Sequence, residues 1–202
     1  MTAFSTFLAA SDVVDFDEPS VRALASELAS SRTTPTELAR TCFEWVQSRI
    51  LHTGDHALDP VTCPASEVLR HGTGYCYAKS HLLVALLRAA KIPAGFCYQR
   101  LATDTGHCLH GLTALWLPDF GWYRVDPRGA RPGLGAAFAP PREELPFTPA
   151  APGEIDFRGV WAAPDPRVVR ALRTHRTRTE LEANLPDALT LPPPGVELPN
   201  AP

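Results

Sequence analysis

The chain has 202 residues with 45% hydrophobic and 20% charged side chains, a formal net charge of −3 and a pI near 6.1. That length suffices for a substantial core in one domain, and a near-balanced charge without a basic run argues against nucleic acid as a partner. No apolar run approaches the roughly 20 residues of a membrane span, and Met1 to Val14 lack a basic n-region, so no signal peptide is expected and a cytoplasmic location follows by default.

In chain order, the segment to about Phe16 is compatible with a strand or with a surface stretch. Pro19 opens a helix predicted over Ser20 to Ala29. Thr34-Pro35 with Glu37 opens a second, which places Leu38, Cys42, Trp45, Val46 and Ile50 on one face. Residues 52–64, HTGDHALDPVTCP, read as a polar surface loop with two histidines, two aspartates and Cys63. A short helix, Ala65 to Arg70, then leads into Gly72 and Gly74.

The stretch GTGYCYAKSHLLVALLRAAK (72–91) organises the rest. A helix is predicted from about Tyr75 to Ala90, apolar nearly all round apart from Lys79, Ser80, His81 and Arg88, which is the profile of a central helix. Cys76 falls in its first turn, where unpaired N–H groups and the positive end of the dipole favour a thiolate. The plainer reading of such a cysteine is a small buried hydrophobe. The five cysteines are odd in number, widely spaced and free of any CxxC pair, which suits reduced thiols rather than a disulfide framework.

Ile92-Pro93 ends the helix, and Ala94 to Leu101 reads as a strand. After a loop, Ala102 to His107, the runs Cys108 to Leu117 and Trp122 to Asp126 form a hairpin closed by Pro127. Its register is informative. His110 and Asp126 can share a face only if paired residue numbers sum to an even value. A two-residue loop would pair 118 with 121, an odd sum. A three-residue loop, Pro118 to Phe120, pairs Leu117 with Gly121 and sets Asp126 opposite Leu112, diagonal to His110. An odd loop or a compensating bulge is therefore expected. Gly129 to Pro152 read as an Ala/Gly/Pro-rich connector without elements of its own. Arg167 to Thr174 and Thr179 to Leu185 read as short helices. One domain is expected over residues 1–185, followed by a proline-rich extended tail, 186–202.

A nucleophilic cysteine needs an imidazole to exchange its proton and a group to orient that imidazole; His110 and Asp126 meet those needs. The pieces FEWVQSRI (43–50), GTGYCYAKSHLLVALLRAAKIPAGF (72–96) and HGLTALWLPDFGWYRVDP (110–127) resemble the transglutaminase-like domains of the papain-like cysteine enzyme superfamily. The chain departs from that pattern at Lys91, where a glycine is usual, and at Gly111-Leu112 after the histidine. The resemblance implies an α+β fold with the cysteine helix packed on an antiparallel sheet that carries His and Asp, and a catalytic triad on Cys76, His110 and Asp126. It implies acyl transfer or hydrolysis at an amide bond of a peptide or protein substrate, without metal or other cofactor. The Cys76 backbone N–H would supply one oxyanion donor. Arg70 lies at the spacing where papain-type enzymes place a glutamine, and Tyr75, Tyr77 and Gln99 are the alternatives for a second donor. Two other readings use the same residues: a catalytically silent peptide-binding module, and a zinc site drawn from Cys63, His71, Cys76, His107, Cys108 and His110.

Overall fold

The computed structural model describes residues 4–129 and 135–199. Helix α1 (Pro19–Ala29) begins at its proline, and α2 (Pro35–Arg49) begins with a capping box. The Thr34 hydroxyl accepts from the Glu37 N–H, and the Glu37 carboxylate accepts from the Thr34 N–H. Such a cap stabilises a helix start by about 1 kcal/mol. Cys42 and Val46 on the inner face of α2 and Ile50 just after its end are buried, with Leu38 and Trp45 packed at the margin. β1 (Leu51–His52) pairs in parallel with β2 (Thr73–Gly74), and α3 (Ala65–His71) lies between them in sequence.

Helix α4 (Cys76–Ala89) is the centre of the molecule, with every residue from Cys76 to Arg88 buried. Most of its polar groups find partners, the exception being His81 Nε2, which has none among the described residues. Lys79 donates to Ile50 O, Ser80 donates to Cys76 O, and His81 Nδ1 bonds Cys63 O. Arg88 donates to the carbonyl oxygens of Ala9, Ala94 and Ala162. The helix ends at Lys91 in the left-handed region (φ 63°), with Ile92 N donating back to Leu87 O.

The remaining elements are β3 (Ala94–Thr103), β4 (Gly106–Leu117), β5 (Gly121–Val125), β6 (Ala137–Ala139), β7 (Arg142–Glu144), β8 (Ile155–Trp161), α5 (Pro166–Thr174), α6 (Arg178–Glu182) and β9 (Val196–Glu197). Strands β5-β4-β3-β8-β9 form one antiparallel sheet in that order. A register shift against β8 between Phe96 and Tyr98 bends it. One face lies on α4 through Phe96, Tyr98, Leu109 and Leu115; the other gathers a smaller cluster with Phe7, Cys97, Leu112, Ala114, Val160 and Leu198. The fold is α+β with the helix on an antiparallel sheet.

Three stretches differ from the sequence expectation. The N-terminal segment is not a strand: among its described residues Ala9 to Asp12 lie on the surface, while a 3-10 turn at Thr6–Leu8 and the residues after Asp12 bury Phe7, Val13 and Val14. The expected structureless connector carries the β6–β7 hairpin, although residues 130–134 lie outside the described residues. Strand β8 was not expected at all, yet it extends the sheet beside β3. In the proline-rich segment, Pro186 O accepts from Leu109 N, Pro192 O accepts from the Trp161 indole, and Val196–Glu197 pairs with β8; residues 200–202 are outside the described part.

Candidate active site

Cys76 is the first residue of α4, presented by the extended residue Tyr75, which makes no side-chain cap. The N–H groups of the first turn therefore remain available to an anion. Two contacts press this turn against β4 on either side of His110. The Tyr77 hydroxyl donates to Leu109 O, and Gly111 lies so close that a Cβ there would come within 2.8 Å of Tyr77 Cδ1. Only glycine allows that approach, which accounts for the residue after His110.

The β4–β5 turn has three residues, so Leu117 pairs with Gly121 and Thr113 with Val125. All pair sums are even, and Gly121 takes the positive φ (77°) that such a loop requires. The chain leaves β5 at Asp126, whose Oδ2 lies 2.6 Å from His110 Nε2, with His110 5% and Asp126 1% exposed. Asp126 Oδ1 accepts from the Arg128 N–H at 2.8 Å, which fixes the carboxylate. With Nε2–H donating to Asp126, Nδ1 is the nitrogen left for the Cys76 thiol, which lines the same cleft. The edge of Phe147 against the His110 ring, 4.9 Å between centroids, restrains the imidazole from another side.

The electrostatics favour an ion pair. Burial disfavours the Cys76 thiolate, but charge and hydrogen bonding from His110, and then from His52, outweigh it and hold the thiol below its ordinary value. Burial likewise disfavours the His110 imidazolium, and Asp126 and Cys76 together override that and hold His110 above its ordinary value. Burial is the largest influence on the other cysteines and acts in the opposite sense, Cys42 and Cys97 being pushed up to about 12 and Cys63 and Cys108 up to about 11.

His52 was read as part of a polar surface loop, and that reading is corrected by the parallel pairing of β1 with β2. The pairing sets His52 opposite Gly74, two residues before Cys76, with its ring edge-on to Tyr75. Asp55 is held well below the usual carboxylate range: His52 and Arg128 overcome the effect of burial. Its Oδ1 accepts from Arg128 Nη2 at 2.8 Å, so Arg128 links Asp55 by its side chain to Asp126 by its backbone. The only cue in the sequence was the His-x-x-Asp spacing around Gly54.

The side chains considered as second oxyanion donors are committed elsewhere. Tyr75 donates to Glu182 Oε1 at 3.2 Å, Tyr77 to Leu109 O, and Gln99 to Asp156 Oδ1 and Phe147 O. Arg70 is an exposed residue of α3, beside Glu67. Of the residues weighed for zinc, Cys63 offers its carbonyl to His81, His107 bonds Pro152 O, and His71 lies next to Arg70. Among the described residues no group of three or more His, Cys, Asp or Glu side chains converges as a metal site. Cys76 and His110 line a cleft of about 360 Å3 whose walls include Leu101, Leu109, Phe147 and Leu185.

A family model described as the transglutaminase-like superfamily matches residues 22–127, more than half of the chain. No curated protein matches the sequence significantly. Among solved structures, a candidate cysteine protease from Cytophaga hutchinsonii aligns with a TM-score of 0.51 at 18% identity, covering 63% of this chain and 43% of that one. The periplasmic domain of TgpA from Pseudomonas aeruginosa aligns with a TM-score of 0.45 at 23% identity, covering 60% and 45%. The chain thus spans less than half the length of either protein. The likeness to the Cytophaga structure is a likeness of fold.

Proposed function

Because the chain belongs to the transglutaminase-like superfamily, we propose that it is a cysteine-dependent enzyme that transfers or hydrolyses the acyl group of a peptide or protein amide, with Cys76, His110 and Asp126 as its triad. The observation that carries this reading is the 2.6 Å contact between His110 Nε2 and Asp126 Oδ2, on an imidazole that lines the same cleft as the thiol at the start of α4. In the first step the Cys76 sulfur attacks the amide carbonyl carbon and the C=O electrons move to oxygen. The Cys76 backbone N–H is positioned to receive that oxyanion. Collapse expels the amine, which takes its proton from the His110 imidazolium, and leaves a thioester on Cys76. Water or a second amine then attacks the thioester while His110 takes the proton back. Asp126 keeps Nε2–H occupied and stabilises the imidazolium formed between these transfers.

The apolar walls of the cleft suit an acyl chain lying beside the thiol, and no cofactor enters the scheme. The test is to incubate the protein with a panel of peptide amides and glutamine-containing peptides and to look for an acyl adduct by mass spectrometry. An adduct confined to Cys76, with turnover abolished in Cys76→Ala, is the expected result. Binding of peptides without any adduct or turnover would favour a silent peptide-binding module instead.

A further inference from the structure

Part of the wall of the catalytic cleft is the chain's own segment downstream of α6. Leu185 lines the cleft together with Cys76 and His110. The two residues after it are bound through their carbonyl oxygens: Leu109 N donates to Pro186 O at 2.7 Å, and Arg100 Nε donates to Asp187 O at 2.9 Å. Leu109 and Arg100 are cross-strand partners on β4 and β3, so one pair of residues receives two successive carbonyls. We infer that Leu185-Pro186-Asp187 is a strap occupying the place of a peptide substrate, that an incoming peptide displaces it, and that Leu109 N–H and Arg100 then hold two carbonyls of that peptide. This deepens the acyl-transfer reading and rests on it.

Three observations carry the assignment. First, the strap sits on an open strand edge. β5 pairs with β4 between Leu117 and Thr113, and the chain then turns out of β5 at Asp126 to meet His110. Nearer the β3–β4 turn, that side of β4 has no strand partner among the described residues, and an uncovered edge is a ready template for a peptide. Bonded to Pro186 O, the Leu109 N–H faces that side and not β3. Second, the occupant is matched to the edge. Leu109 O already accepts from the Tyr77 hydroxyl, so a partner there is asked for an acceptor and not for a donor. Proline, which has no N–H, loses nothing in that position. Third, the strap is thinly held between firm ends. On one side Asn184 Nδ2 donates back to Glu180 O at 2.9 Å; on the other the Thr190 N–H donates to the buried Asp165 carboxylate at 2.7 Å. From 185 to 189 the chain has neither helix nor strand, and Leu185 and Pro186 are half-buried. The ion pair between Asp187 and Arg100 spans 3.7 Å with the Asp187 side chain 59% exposed, and so exposed a pair contributes little.

The same contacts describe the peptide that replaces the strap. An apolar side chain takes the place of Leu185 in the cleft lined by Leu101, Leu109 and Phe147. The next residue offers its carbonyl to the Leu109 N–H and tolerates proline. The one after it lies beside the Arg100 guanidinium, which favours an acidic side chain. Because both ends of the strap are tethered, it competes at an effective concentration that is roughly millimolar, and a peptide gains the cleft by being present at that level or by binding more tightly. Displacement exchanges hydrogen bonds alone; no covalent bond of Leu185, Pro186 or Asp187 is formed or cleaved.

Alkylation of the same thiol by a large and a small reagent tests the strap without requiring turnover. Iodoacetamide needs little room, whereas acetyl-Ala-Leu chloromethyl ketone must place a dipeptide in the cleft. In the double variant Leu185→Ser, Asp187→Ala the ratio of the chloromethyl ketone rate to the iodoacetamide rate at Cys76 should rise at least about tenfold, because the occupant loses its apolar side chain and its ion pair. Acetyl-Asn-Leu-Pro-Asp-Ala amide at about 1 mM should slow the chloromethyl ketone at least about threefold more in this variant than in wild type, whose own strap holds the site. If the double variant does not fold, Asp187→Ala alone, at an exposed position, should show smaller changes in the same directions. An unchanged ratio, or a raised ratio without added protection by the peptide, would mean a fixed wall and overturn the strap while leaving the acyl-transfer reading intact. Failure of both reagents to modify Cys76 in wild type and variant would overturn both.

Discussion

The two ends of α4 each bury charge, and they satisfy it in opposite ways. At the C-terminal end, the Arg88 guanidinium donates to the carbonyl oxygens of Ala9, Ala94 and Ala162 at 2.6–3.0 Å. None of those acceptors can gain or lose a proton. At the N-terminal end, Cys76 meets two imidazoles, one of which is bonded to a carboxylate, so every partner is itself titratable. The first arrangement pins a charge; in the proposed mechanism the second lets charge pass between its members. Burial of an ionisable group therefore says little about function until the nature of its partners is known.

The contrast is broken most directly by Cys76→Ala. It should abolish acyl transfer while the thermal midpoint moves by only a few degrees, because a small buried side chain is exchanged for a smaller one; surviving turnover would mean that the N-terminal end is only packing. Asp126→Asn should come next, lowering turnover by about 10²- to 10⁴-fold through the wrong imidazole tautomer, with little change in the unfolding free energy measured in urea. Unchanged turnover would reduce Asp126 to a turn residue. At the other end the pattern should invert. Arg88→Met leaves buried carbonyls without donors and should destabilise the fold by about 3 kcal/mol or more. The alkylation rate of Cys76 should stay as it was, and a parallel loss of thiol reactivity would show that the two ends are not separable.

A pH series sharpens the electrostatic side. Thiolate is the reactive form, and the Cys76 thiol is lowered by its imidazole partners while burial raises the other four. Iodoacetamide at pH 6 should label Cys76 first. Raising the pH to 8 should add little to its rate, but about tenfold per unit at the remaining cysteines, which stay far below their titration range. Faster labelling of Cys63 or Cys108 at pH 6 would contradict the charge pairing. The smallest expected change is at Lys91, which holds a left-handed conformation at φ 63°. Lys91→Gly should stabilise the protein by about 1 kcal/mol without altering turnover, read from calorimetry and any working substrate assay.

What was legible in the sequence was carried by local signals. Thr34-Pro35-x-Glu37 fixes the start of α2, the helical spacing of the leucines after Cys76 gives α4, and the parity of the β4–β5 loop forces the face on which Asp126 emerges. The missing pieces depend on partners remote in the chain. β8 carries a glycine and two charged residues among its seven, and its strand character comes from pairing with β3 some 60 residues earlier. His52 looks like a surface residue because its burial is imposed by a parallel pairing that no periodicity reports. Tyr75, Tyr77 and Gln99 were selected for their chemistry near the nucleophile, but Glu182, Leu109 and Asp156 decide where their donors point.

The acceptors around Arg88 also set an order in time. The carbonyl of Ala162 lies 74 residues downstream of Arg88, and synthesis at about 5–20 residues per second delivers it some seconds later. Until it arrives, the guanidinium has only the carbonyl oxygens of Ala9 and Ala94 as partners, and one of its hydrogen bonds waits for the residue that follows β8. Completion of the charge site at the C-terminal end of α4 is thereby deferred until the residues just beyond β8 have been made.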